Sequence, residues 1–98
     1  MSRKAYILIF DRDDELDYKE FHSKITGLSE VVNWWHYIKS SYILISKLTS
    51  ATKLNDLIVP LVPEGKTMLL VEINLNNRNG LLTQEAWDWL KKEQLKIE

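Results

Sequence analysis

Ala5 to Phe10 is an unbroken apolar run that stops at Asp11, the pattern of a central strand. The charged stretch Arg12-Asp13-Asp14-Glu15 follows as a loop. Asp17 with Glu20 three residues later has the form of a capping box, with Asp in place of Ser or Thr. Tyr18, Phe21, Ile25 and Leu28 then recur at helical spacing, with Gly27 as the C-terminal stop. Val31 to Ile38 and Tyr42 to Ser46 read as a β-hairpin turning near Lys39-Ser40-Ser41. Strict alternation puts Val32, Trp34, His36 and Ile38 on one face of its first strand and Val31, Trp35 and Tyr37 on the other. A strand that is apolar on both faces must be covered on both. Thr49 or Ser50 caps a second helix with the stripe Leu54, Leu57, Ile58 and Leu61, which Pro60 should end or kink. Pro63-Glu64-Gly65 reads as a turn, Thr67 to Leu75 as a last strand, and Asn79-Gly80 as a tight-turn signal. Thr83 caps a C-terminal helix holding Ala86, Trp87, Trp89, Leu90 and Gln94.

Strand, helix, strand, strand, helix, strand and a final helix is the split-βαβ, ferredoxin-like plan. The expected class is α/β in the α+β sense: one domain over residues 1–98, with a four-stranded antiparallel sheet and two helices on one face. The other face is apolar too. A second copy of the chain in a two-fold homodimer is its most economical cover, and the C-terminal helix is the competing one.

Composition narrows the function classes. The chain has 98 residues, 45% hydrophobic and 28% charged, with a formal net charge of -1. Strong phosphate binding draws on clustered Lys and Arg, so this balance excludes a strongly electrostatic nucleic-acid binder. Cysteine is absent, which removes disulfides, thiol nucleophiles and cysteine-zinc sites. No apolar run approaches the length of a membrane span. The run after Met1-Ser2-Arg3-Lys4 is too short for a signal-peptide core. The expectation is a cytoplasmic protein with no membrane contact.

Several segments together resemble the small ferredoxin-like proteins called the SinR family, distinct from the helix-turn-helix repressor of that name. These are the strand ending in Asp11, Tyr18 opening a helix, Asn33-Trp34-Trp35-His36, Ser40-Ser41 before an aromatic-aliphatic strand, Leu48-Thr49, Leu69-Leu70-Val71 and Trp89-Leu90-Lys91. The resemblance implies a fold related to VapD-type toxins and to the small CRISPR-associated adaptation nuclease. It also implies a defence, toxin-antitoxin or mobile-element setting. It brings no settled activity. Lys39 and Thr67 stand where an acidic residue is common in that pattern.

Three function classes follow. The first is a homodimer acting through protein contacts or weak nucleic-acid contacts, with Trp34, Trp35, His36, Tyr37, Ser40 and Ser41 at the interface or binding surface. The second is a metal-dependent nuclease. Phe10-Asp11-Arg12-Asp13-Asp14 resembles the aromatic-Asp-x-x-Asp end of the nuclease-like relatives, which implies Asp11, with or without Asp14, as catalytic. Two copies of Asp11 could share Mg²⁺ or Mn²⁺, hard cations suited to carboxylate oxygens. The bland alternative is that these acids serve the loop and the helix N-terminus. The third is a non-catalytic nucleic-acid binder that uses Arg12 and Lys39 as cations and aromatic rings as stacking surfaces. His36 is a possible base or metal ligand, more simply a strand residue bonded across the sheet. His22 falls on the flank of the first helix and is assigned no role. Ser40 and Ser41 suit a turn better than a nucleophile, and no Gly-rich phosphate loop is present.

Overall fold

A computed structural model describes residues 3–94. The chain runs β1 (Lys4–Phe10), α1 (Lys19–Thr26), β2 (Val31–Ile38), β3 (Ser41–Ser46), α2 (Ala51–Ile58), a 3-10 turn (Val59–Leu61), β4 (Met68–Ile73) and α3 (Gln84–Gln94). The sheet has the order β2-β3-β1-β4, and every paired neighbour is antiparallel. This is the ferredoxin-like arrangement with an added C-terminal helix.

Two cores lie on opposite faces of the sheet. On the first face, Tyr6, Leu8, Phe10, Tyr42 and Leu44 meet Phe21 and Ile25 of α1 and Leu54 and Ile58 of α2. On the second, Ala5, Trp35, Ile43, Ile45 and Leu75 meet Ala86 and Leu90 of α3. The indole N–H of Trp35 donates to the Ala86 carbonyl at 3.3 Å, and that of Trp89 donates to Asn33 at 3.4 Å. Within one chain, α3, the competing cover, therefore occupies half of that second face. The other half keeps Ile9, Ile38, Leu69 and Val71 exposed.

Strict alternation fails along β2. Val31 pairs with Ser46 but Asn33 with Ile45; Trp35 pairs with Ile43 but Ile38 with Ser41. Each step leaves one extra residue on β2, the signature of a bulge. The first bulge places Val31 in the first core and Val32 in the second, the reverse of the strictly alternating assignment. The second sets Ile38 opposite Ser41, a residue that shares its face with Ile9. Ile38 thus leaves the face of Trp34 and His36 and joins that of Trp35.

The local signals have mixed outcomes. Ser50 caps α2 by accepting from the Lys53 N–H, and Thr83 accepts from the Ala86 N–H at the start of α3. Pro60 converts the end of α2 into the 3-10 turn. Gly65, at φ 80, completes the turn closed by Lys66 N–H to the Pro63 carbonyl. The capping box of α1 does not form. Tyr18 is the cap residue, Asp17 accepts from the Lys19 N–H at 2.9 Å, and Glu20 pairs with Lys24 at 2.7 Å instead of reaching back. Asn79-Gly80 joins no hairpin: β4 ends at Ile73, and the segment runs as loop to α3. Among the described residues, no helix is long and apolar enough to cross a membrane.

Candidate functional site

The β1–α1 loop, the first turn of α1 and the β2–β3 hairpin enclose a cleft of about 360 Å³ lined by Arg12, Tyr18, Lys19, His22, His36 and Tyr42, with Leu16 and Asp17 at its margin. The fold brings these groups together in three steps. β1, an inner strand, ends at Phe10, so Arg12 lies in the loop just beyond the strand's end. Tyr18 and Phe21 anchor α1 on the Phe10 ring, at centroid distances of 5.7 and 5.3 Å. That anchoring points His22, the next residue along the helix, at the hairpin. The second bulge of β2 then clears Ile38 from the His36 face.

His36 lies flat on Tyr42, with centroids 3.9 Å apart and planes 4° from parallel. His22 stands 5.8 Å from His36, and the edge of Trp34 meets His22 at 4.9 Å. Two hydrogen bonds orient the imidazoles. His36 Nδ1 lies 2.8 Å from the Ser41 carbonyl. A carbonyl only accepts, so Nδ1 carries the proton and Nε2 of the neutral ring keeps its lone pair. His22 Nδ1 lies 2.7 Å from the Tyr42 hydroxyl. This bond works in either direction, because a phenol both donates and accepts.

Electrostatics reinforce the geometry. Burial pushes His36 below the ordinary imidazole range, helped by His22 and the Arg12 charge and opposed by the Ser41 carbonyl. Burial pushes the Tyr42 phenol up to about 12 against the pull of Arg12, so at neutral pH it stays a phenol. Arg12 is held at the mouth of the cleft. Its guanidinium sits 4.5 Å over the Tyr18 ring, donates to the Lys39 carbonyl and pairs with Asp14, both at 3.4 Å. Tyr18 is fixed in turn by the Asp13 N–H, which donates to its hydroxyl at 2.8 Å. A positioned cation beside one imidazole with a free basic nitrogen and a second bonded to a phenol makes a site for an anionic ligand and for proton transfer.

The residues singled out from sequence are dispersed. His36 lines the cleft, Trp34 packs against His22 beside it, and Ser41 contributes its carbonyl. Trp35 is buried under α3, and Tyr37 lies half-exposed on that same second face, with its hydroxyl near Glu85. Ser40 accepts the Phe10 N–H in the hairpin turn. Asp11 is exposed, and its N–H bonds the Thr67 carbonyl. Asp14 is exposed and paired with Arg12. Among the described residues, no group of three or more His, Asp or Glu side chains gathers to hold a metal ion. His22 and Tyr18 escape a sequence reading. The only hint is that His22 lies four residues after Tyr18, beside the buried stripe, where a helical face meets its neighbour.

Compared with models of protein families, with curated proteins and with solved structures, the chain matches none.

Proposed function

We propose that the domain binds single-stranded nucleic acid in the Arg12–His22–His36–Tyr42 cleft. One observation carries the reading: an arginine clamped at the cleft mouth by Tyr18, Asp14 and the Lys39 carbonyl, with exposed Trp34 against His22, an imidazole of the cleft lining. Arg12 offers a fork to a backbone phosphate, Lys19 adds a second cation, and Trp34 gives a base a flat partner. The net charge of -1 makes this a weak, salt-sensitive contact. The resemblance to SinR-type proteins brings no activity with it, so the reading rests on the cleft.

Fluorescence anisotropy with short labelled single-stranded RNA and DNA at low salt tests it. Binding should weaken about tenfold in Arg12→Ala, and by about 1–3 kcal/mol in Trp34→Ala if one base stacks there. Absence of binding at low salt, or variants that bind like the parent, would reject the proposal.

A second reading concerns assembly. Ile9, Leu69 and Val71 form an uncovered apolar strip on the second face beside Asp11, and Ile38 adds to that exposed half. A second copy seated there would complete the cover begun by α3 and give Asp11 a carboxylate neighbour. Light scattering at micromolar concentration should then give a dimer mass that Leu69→Lys converts to monomer; a monomeric parent removes this reading.

A further inference from the structure

The cleft holds more than a phosphate-binding group needs. A binder has no use for two imidazoles whose second nitrogens are both spare while their first nitrogens are bonded to fixed partners. His36 Nδ1 is spent on the Ser41 carbonyl, and His22 Nδ1 on the Tyr42 hydroxyl. The ring centroids stand 5.8 Å apart, and both rings line, with Arg12, an open cleft of about 360 Å³ that admits a phosphate. An acceptor and a donor opening on one cleft, with a cation at its mouth, are the groups required for in-line displacement at phosphorus without a metal ion.

We infer that the cleft cleaves RNA by metal-independent transesterification, with His36 as general base and His22 as general acid; this rests on the nucleic-acid reading above. Nε2 of neutral His36 takes the proton of a ribose 2′-hydroxyl. The 2′-oxygen attacks the adjacent phosphorus, so the P–O2′ bond forms while the P–O5′ bond breaks. His22, in its imidazolium form, gives its Nε2 proton to the departing 5′-oxygen. The products are a 2′,3′-cyclic phosphate and a 5′-hydroxyl. His36 ends with one proton more and His22 with one fewer, and exchange with water restores both. Arg12 neutralises the charge that builds on the non-bridging oxygens. Tyr42 is a positioning residue: its ring supports His36, and its hydroxyl accepts the Nδ1 proton of the imidazolium. The groups facing the pair are Arg12, Asp17 and Tyr18 from the loop, Lys19 from α1 and Tyr42 from β3. The depressed proton affinity of His36 keeps the base free at neutral pH.

DNA lacks the 2′-hydroxyl and should bind without being cut. The test incubates the full chain with labelled single-stranded RNA and DNA in excess EDTA and follows binding and fragment ends together. His36→Asn retains a donor to Ser41 but has no Nε2; His22→Asn retains the contact to Tyr42 and likewise lacks the second nitrogen. Expected are RNA fragments ending in cyclic phosphate, intact DNA, and at least an approximately 100-fold loss of rate in each variant with binding retained. The parent's rate should fall toward the acid side as His36 takes up a proton.

RNA that binds and stays intact in EDTA overturns this inference and leaves the binding function standing. RNA and DNA that both fail to bind remove both. Cleavage that appears only with Mg²⁺ or Mn²⁺ and vanishes in Asp11→Asn overturns it in favour of a carboxylate-metal centre. Cutting of DNA, or equal cutting by the two His variants, overturns it as well.

Discussion

The flat contact between His36 and Tyr42, 3.9 Å between centroids and 4° between planes, joins the core to the cleft. Tyr42 is almost wholly buried and stacks from the other side with Phe10 at 6.0 Å. The imidazole is thus laid on the outermost layer of a packed aromatic column, and its position inherits the rigidity of the core.

Tyr42→Phe should keep the column and lose one hydrogen bond, costing about 0.5–1.5 kcal/mol, whereas Tyr42→Ala should cost about 3–5 kcal/mol, the range for emptying a large aromatic site. Urea unfolding measures both. The same residue sets an alkaline limit. Its folded-state proton affinity lies about two units above that of a free phenol, so the associated stability is complete below pH ~10 and lost as pH rises toward ~12, about 2–3 kcal/mol in all. Tyr42→Phe should flatten that part of the pH profile.

His36 should act in the opposite sense at the acid end. Its proton affinity is lowered by folding, so the unfolded chain binds the proton more readily. Stability should be undiminished above pH ~6.5 and fall as pH drops below it, through the lowered folded-state value. Proton NMR of the His36 ring should place its midpoint below that of a free imidazole, and His36→Asn should remove this acid slope. A midpoint at or above the free value would contradict the burial that causes the shift.

Two glycines are predicted to resist substitution for different reasons. A Cβ at Gly27 would stand 2.9 Å from the Ser23 carbonyl, although the backbone there, at φ -90, suits any residue. Gly27→Ala should therefore destabilise by about 1–3 kcal/mol, as overpacking does, instead of stabilising by restricting the unfolded chain. Gly65→Ala meets no neighbour but must hold φ 80, at a cost of about 1–2 kcal/mol. Thermal unfolding of the two variants checks both.

The helix α3 is expected to be required for a well-behaved monomeric surface. A chain ending at Leu82 would uncover Ala5, Trp35, Ile43 and Ile45, and should bind a hydrophobic dye and aggregate. Trp35→Ala in the whole chain should cost about 3–5 kcal/mol, while Trp35→Phe should lose little beyond its bond to the Ala86 carbonyl.

The cleft was only partly legible in advance. His36 belongs to it and Trp34 packs beside it, both standing out as aromatic strand residues, but Arg12 draws notice only as a cation near a turn, and His22 draws none. Asp11 stands out because acids at strand ends often serve chemistry, yet it is exposed and is not among the residues that line the cleft. The difference is one of range. A strand end is a local property, whereas the meeting of His22 with His36 depends on how Tyr18 and Phe21 seat a helix on Phe10.

By itself the sequence determined the order of strands and helices, a cap at Thr49 or Ser50 and one at Thr83, the break at Pro60 and the turn at Gly65, because each depends on neighbours within a few residues. It also determined that β2 needs cover on both faces. Tertiary structure decided what provides that cover, putting α3 over Ala5, Ile43 and Ile45 and leaving Ile9 and Leu69 bare. It also decided which side chain faces which way. Two extra residues in β2 exchange Val31 with Val32 and turn Ile38 away from His36, since a bulge is set by the partner strand's register and alternation alone cannot register it.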